Sequence, residues 1–109
     1  MRKIVKTKWG VEVIFAQEDW FTGSILEIGF NRGTDYKKAP MNIIYHVLQG
    51  SVQIMLNGAL YEFGEGKTIL VRKGTKYQII GTKSVPRVIK IAQYKLEDKD
   101  LSSVTKGHI

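Results

Sequence analysis

Residues 42–63 read NIIYHVLQGSVQIMLNGALYEF, three runs of strand-forming side chains divided by two turns. Asn57 and Gly58 make the clearer turn, because both residue types tolerate the positive φ angles of a type I′ hairpin. Such a turn joins the run 52–56 to the run 60–63 as antiparallel neighbours. The stretch therefore predicts consecutive β-strands, and it contains no sustained helical period of apolar residues.

The rest of the chain repeats this pattern of short strands. Runs rich in Val, Ile, Tyr and Phe are bounded by glycine or proline, with a turn signal about every ten residues, which is typical of a β-sandwich or barrel. The runs are 11–15, 25–30, 41–49, 51–56, 59–63, 68–71, 77–80 and 87–94. We therefore predict an all-β fold. The polar segment 95–109 is expected to be a short helix, a frayed end or disorder.

The composition is that of one small globular domain. The chain has 109 residues, and we expect a single domain over residues 1–109 with its core in about residues 11–94. No apolar run approaches the ~20 residues that span a bilayer, and no signal peptide is visible, so no membrane partner is expected. With no cysteine and two histidines, disulfides, cysteine-based zinc sites and thiol nucleophiles are excluded. The net charge of +7 suits an acidic partner such as nucleic acid.

Alternation along two runs predicts which side chains are buried, because successive residues of a strand point to opposite faces. The residues expected to face the core in the run 51–56 are Val52, Ile54 and Leu56. In the last run, Ile89 and Ile91 alternate with Lys90 and Ala92. We expect the two isoleucines on the buried face.

The run 43–48 differs because it is apolar on both faces. One face carries Ile43, Tyr45 and Val47. An antiparallel sandwich normally leaves the other face of each sheet in water. The apolar outer face therefore needs a cover, either a second copy of the chain or a terminal segment of the same chain. We predict a homodimer, with His46 as an interface residue rather than a metal ligand. The predicted interface consists of Ile44, His46, Leu48 and Met55.

The spacing of glycines in the middle of the chain resembles that of the cupin superfamily, a double-stranded β-helix or jelly roll. With Gly50 as the glycine that ends the first cupin motif, Ile43 stands at the glutamate position, and the two histidine positions fall within 36–39, where there is none. In the second motif, Tyr77 replaces the histidine and Gly81 replaces the asparagine. The resemblance therefore implies a cupin without its metal ligands, and we predict no cofactor and no enzymatic activity.

Three segments resemble the C-terminal cupin domain of the centromere protein C (CENP-C) family. Residues 20–29, WFTGSILEIG, are similar to the segment that opens that domain. Residues 42–52 resemble its aromatic-rich central strand and glycine turn, and residues 66–77 resemble the next pair of strands. The resemblance covers about residues 11–94, and it depends on the combination of these segments because no single motif is diagnostic.

The resemblance implies a non-enzymatic homodimerisation module in the nucleus, at the centromere and kinetochore. In that family the cupin pairs two copies of a long, mostly disordered protein that links centromeric nucleosomes to the kinetochore. Pairing makes the second nucleosome contact intramolecular and so raises avidity. The family also implies further partners, such as a loading factor for the centromeric histone or other kinetochore proteins. We do not find the family's nucleosome-binding motif, so histone binding is not expected here.

Three further sets of residues leave alternatives open. Trp20 and Phe21 are either exposed anchors for a protein partner or a plug at one end of the barrel. A basic cluster predicts either weak, salt-sensitive DNA binding or a solvated surface. The members of this cluster are Lys37, Lys38, Arg72, Lys73 and Lys76. The alternative function is a regulatory cupin that binds a small molecule without a metal. Its polar candidates inside the barrel are Tyr45, Tyr77 and Gln49.

Overall fold

The computed structural model describes residues 3–93, which form ten β-strands and no helix. The strands are β1 (Lys3–Lys6), β2 (Gly10–Gln17), β3 (Phe21–Ile28), β4 (Lys37–Lys38), β5 (Asn42–Gln49), β6 (Ser51–Leu56), β7 (Ala59–Gly64), β8 (Thr68–Val71), β9 (Lys76–Gly81) and β10 (Arg87–Gln93). The predicted all-β class is confirmed. Within the same residues, no helix is long and apolar enough to cross a lipid bilayer.

The strands form two antiparallel sheets around one core. The larger sheet has the order β1-β2-β3-β10-β5-β8, and the smaller has the order β4-β9-β6-β7. Inward-facing side chains of both sheets make up a single apolar cluster. Its fully buried members include Ile28, Val47, Val52, Ile54, Ile79 and Val88. Strands next to one another in space are often far apart in the chain, as in a jelly roll.

The hairpin between β6 and β7 forms as the turn residues predict. Asn57 and Gly58 have φ angles of 47° and 88°, so both adopt the left-handed conformation of a type I′ turn. The turn sets a register in which Val52 and Ile54 are fully buried, and Leu56 packs half-buried against the same core. The predicted inward face of this strand is confirmed.

The last strand faces the opposite way from the prediction. Lys90 lies directly across from Ser24 on β3 and Tyr45 on β5, both of which are buried. Because cross-strand partners share a face, Lys90 points between the sheets, and Ile89 and Ile91 point to the outer face. The prediction that the two isoleucines face the core is wrong, because the register with β5 places them opposite His46 and Ile44, which face outward.

The described fold begins earlier in the chain than the predicted core. β1 pairs with β2 through the register Lys3 to Ile14 and Lys6 to Val11, so this first strand precedes residue 11. β3 begins at Phe21 rather than at residue 25, and the two-residue strand β4 was not predicted. The predicted polar tail, 95–109, lies outside the described residues.

A hydrogen bond between two buried tyrosines joins the sheets through the core. The hydroxyl oxygens of Tyr45 on β5 and Tyr77 on β9 are 2.8 Å apart, and the rings are 5.9 Å apart between centroids. Burial is the main cause that raises the pKa of both hydroxyls above 10.0, and the negative charge of Glu12 adds to it. Both phenols therefore stay protonated in the folded chain at pH values where a free tyrosine ionises.

We expect this pair to make the domain sensitive to alkaline pH. Above about pH 10 the tyrosines ionise in the unfolded chain but not in the folded one, so the free energy of unfolding falls as pH rises, by about 1.4 kcal/mol per pH unit for each such group. Urea unfolding at a series of pH values measures this slope. Tyr45→Phe should flatten it, whereas Tyr61→Phe, at a half-exposed edge position, should not. An unchanged slope in Tyr45→Phe would contradict the assignment.

The segment after β3 approaches the end of β9 so closely that only glycine fits there. A Cβ atom at Gly81 would stand 2.1 Å from the carbonyl oxygen of Gly29, which belongs to the backbone. Hydrogen bonds hold the contact: Gly81 N–H donates to the Arg32 carbonyl at 2.8 Å, and Asn31 N–H donates to the Gly81 carbonyl at 3.1 Å. The absence of a side chain at this position thus allows residues 29–35 to pack against the barrel.

We predict that Gly81→Ala destabilises the domain by about 1–3 kcal/mol, because the added methyl group must push the backbone away. Gly64→Ala is the matched control, since nothing lies within 4 Å of a Cβ built there. Chemical unfolding of the two variants and the parent gives the difference. Equal stability of the two alanine variants would show that the backbone of residues 29–35 can shift without lowering the free energy of unfolding.

Candidate functional site

The positions that correspond to the metal ligands of the cupin motif carry no metal ligands in this chain. Ile43 and Tyr77 point between the sheets, with 2% and 8% of their surfaces exposed. Within residues 3–93 there is no group of three or more His, Asp or Glu side chains that could hold a metal ion. A transition metal needs several imidazole or carboxylate donors that converge on one point, and these residues do not fit that requirement.

Polar side chains nevertheless occupy the space between the sheets. Glu12 on β2 lies across from the buried Leu26 and so points inward. Its carboxylate accepts a 2.7 Å hydrogen bond from the hydroxyl of Ser24, which is fully buried. Lys90 lies on the same face, in register with Ser24. The interior thus holds a carboxylate, an ammonium group and the two tyrosine hydroxyls. The alternating pattern of β10 did not reveal Lys90, because apolar residues lie on both faces of the strand: Ile89 and Ile91 on the outer face, Val88 and Ala92 on the inner face.

A cavity of about 330 Å³ opens between the sheets at this point. Its lining residues are Lys8, Trp9, Leu26, Gly33, Thr34, Asp35, Lys37, Tyr45, Tyr77 and Lys90. The turn between β1 and β2 supplies one wall, and the segment that packs against Gly81 supplies another. Of the polar residues expected inside the barrel, Tyr45 and Tyr77 are there. Gln49 is exposed, so its prediction is wrong.

The outer face of the six-stranded sheet carries a continuous apolar surface. One row of directly opposed residues crosses all six strands: Thr68, His46, Ile89, Ile25, Val13 and Ile4. A second row contains Leu70, Ile44, Ile91 and Gly23, with the Phe15 ring lying against Gly23. Neither row contains a charged residue. We call these two rows, with Leu48 and Phe21 beside them, the outer apolar surface.

The exposure of this surface within the described chain is uneven. Ile44 is 43% exposed and Leu48 is 38% exposed, so no described segment covers them. His46 is half-buried, and its Nδ1 lies 2.7 Å from the hydroxyl of Thr68. His46 is therefore hydrogen-bonded to Thr68 on the outer face of the sheet and points away from the barrel interior, as the alternation of β5 predicts.

Trp20 and Phe21, at the start of β3, lie at one end of the outer apolar surface. Trp20 is 52% exposed, and its ring centroid stands 4.6 Å from that of Phe21. Both line a groove of about 280 Å³ together with Ile44, Leu70 and Ile91. They do not plug the barrel, so that alternative is wrong. Their role as partner anchors stays a prediction.

Met55 does not share this surface with the other three predicted interface residues. On β6 it alternates with the buried Val52 and Ile54, which places it on the outer face of the four-stranded sheet. Its cross-strand neighbour Leu60 is also exposed there. The two outer faces lie on opposite sides of the sandwich. The prediction that Met55 shares one interface with Ile44, His46 and Leu48 is therefore wrong.

The predicted basic cluster is brought together in space. Lys38 lies directly across from Lys76, and the Lys76 ammonium stands 4.7 Å from the centre of the Tyr36 ring. The turn after β8 lies against β4, where Gly74 N–H donates to the Ala39 carbonyl at 2.8 Å. This turn carries the other two members of the cluster beyond β4, Arg72 and Lys73. All five basic residues are exposed, so they can contact an anion, and DNA binding stays a prediction.

No protein-family model matches this chain, and no curated protein sequence is similar to it.

Solved structures share its fold. The cupin domain of Cnp3 from Schizosaccharomyces pombe has a TM-score of 0.71 and 20% identity, over 92% of this chain and 74% of that chain. An RmlC-like cupin from Shewanella frigidimarina has a TM-score of 0.77 and 10% identity, over 91% and 89%. The polyketide cyclase RemF from Streptomyces resistomycificus has a TM-score of 0.74 and 17% identity, over 98% and 89%. At these identities the likeness establishes the fold: the described chain is a cupin-type jelly roll, as its glycine spacing predicts.

Proposed function

We propose that this domain is a homodimerisation module and that two copies pair through the outer apolar surface. The observation that carries the proposal is the pair of uncharged rows across the six-stranded sheet, in which Ile44 and Leu70 remain about half exposed. A single soluble domain rarely leaves so continuous an apolar face in water, and such faces mark interaction sites. A second copy of the same face offers the complementary apolar surface that a two-fold symmetric interface requires.

The proposed cellular role follows the resemblance of residues 20–29, 42–52 and 66–77 to the CENP-C cupin. The structural likeness to the Cnp3 cupin domain over 92% of the chain supports it. In this role the domain pairs two copies of a longer chain at the centromere and kinetochore, in the nucleus. Trp20 and Phe21 lie at the edge of the paired surface, where aromatic anchors for a histone-loading factor or another kinetochore protein would be accessible.

The proposed role is not enzymatic. The fold itself serves both kinds of protein, since the polyketide cyclase RemF is among the similar structures. The presence or absence of an activity therefore depends on the residues of this chain and not on its fold. The donor set at the cupin metal positions does not fit a metal. Glu12, the carboxylate found inside the barrel, is hydrogen-bonded to Ser24.

We predict that the parent chain sediments at twice its 12.4 kDa mass at micromolar concentration and that Ile44→Asp or Leu48→Asp sediments as a folded monomer. A charge placed on the outer apolar surface would be buried without a partner in the dimer, which costs several kcal/mol. Sedimentation or light scattering measures the mass, and circular dichroism verifies that the variants fold.

Leu60→Asp is the matched control, because Leu60 is also an exposed leucine, at 52%, but lies on the outer face of the other sheet. This variant should remain a dimer. A parent chain that is monomeric at that concentration would refute the proposal and favour a cover from a terminal segment of the same chain. A dimer that persists in Ile44→Asp but dissociates in Leu60→Asp would place the interface on the four-stranded sheet.

A further inference from the structure

We propose that the cavity between the sheets binds a small organic anion, a hydroxy acid whose carboxylate contacts Lys90 and the Tyr45–Tyr77 pair. The site is distinct from the proposed dimer interface, because Lys90 points inward while its neighbours Ile89 and Ile91 point to the outer apolar surface. Binding within the barrel and pairing outside it can therefore occur together.

The charge of the lining favours an anion. Three lysines and one aspartate line the cavity: Lys8, Lys37, Lys90 and Asp35. Lys37 also belongs to the exposed basic cluster, beside Lys38, so the positive charge extends from the surface to the cavity. The charged side chains of the lining thus carry a net positive charge, and such a cleft attracts ligands of the opposite sign.

Lys90 and the tyrosine pair have donor hydrogen atoms that are not used in hydrogen bonds to described residues. Lys90 is half-buried, and within residues 3–93 its ammonium has no hydrogen bond or ion pair to another side chain. The two tyrosine hydroxyls share one hydrogen bond and have no other hydrogen-bond partner among the described residues. One of their two O–H hydrogens is therefore available to a ligand. An ammonium and a phenol facing one cavity form a donor pair that matches a carboxylate.

The remaining lining suits the hydroxyl groups of the ligand. The Asp35 carboxylate can accept hydrogen bonds from ligand hydroxyls, and Thr34 lies beside it on the same segment. Trp9 and Leu26 provide the apolar contact. A volume of about 330 Å³ falls at the lower end of ligand pockets, which indicates a small molecule. Several lining residues are exposed, so the cavity opens to solvent.

Calorimetric titration with quinate tests the site, since quinate is a six-membered ring with one carboxylate and several hydroxyls. Inositol is the uncharged control of similar size, and inorganic phosphate is the small-anion control. We expect quinate to bind with a dissociation constant of about 1 mM or lower and inositol to bind at least about tenfold more weakly. In the Trp20→Phe background, the emission of Trp9 should change on binding, which places the ligand in the cavity.

Lys90→Met should weaken quinate binding about tenfold, because it removes the deep ammonium but keeps the length of the side chain. Lys83→Met, at an exposed lysine away from the cavity, should bind as the parent does. If Lys90→Met does not fold, Lys37→Met at the rim should show the same loss.

Three results would overturn the proposal. The first is no quinate binding up to about 10 mM, and the second is inositol binding as tight as that of quinate. The third is equal loss in Lys83→Met and Lys90→Met, which would assign the effect to the general surface charge. In the first case, binding of phosphate would show that the cavity takes a small inorganic anion and not a hydroxy acid. None of these results bears on dimerisation, which sedimentation measures separately.

Discussion

The alternation of side chains along β5 is the constraint on which the rest of the structure depends. This strand lies between β10 and β8, and its inward residues Ile43, Tyr45 and Val47 are at most 2% exposed. The same pleat turns Ile44, His46 and Leu48 outward. One strand therefore contributes both to the core of the sandwich and to the outer apolar surface. A slip of one residue in its register would exchange the two sets.

The interior of the barrel shows what a jelly roll can hold when the metal ligands are absent. Apolar residues fill most of the space between the sheets, but Glu12, Ser24, Lys90 and the tyrosine pair form a polar region beside a cavity. Burial keeps the tyrosines protonated, because it raises the pKa of both hydroxyls. Such a region provides hydrogen-bond donors to a ligand, and the proposed binding site rests on them.

The two proposed activities use opposite faces of one sheet, and this arrangement accounts for the lysine within an isoleucine-rich strand. In β10, Ile89 and Ile91 contribute to the outer apolar surface, while Lys90 reaches the cavity. In a simple sandwich the apolar residues of a strand face the core and its polar residues face water. β10 departs from this rule because its outer face is apolar as well, while its inner face carries Lys90 between the buried Val88 and Ala92.

The sequence alone determined the fold class, the β6–β7 hairpin and the two-faced character of β5, because these depend on local turn chemistry and on the period of two along a strand. The glycine spacing also indicated the cupin-type jelly roll. Only the tertiary structure decided that Lys90 and Glu12 face the interior, that Met55 lies on the other sheet and that Trp20 lies on the outer face. These placements depend on pairing between strands that are distant in the chain. A pattern within one strand can show that two faces differ, but only the pairing of strands determines which face is covered.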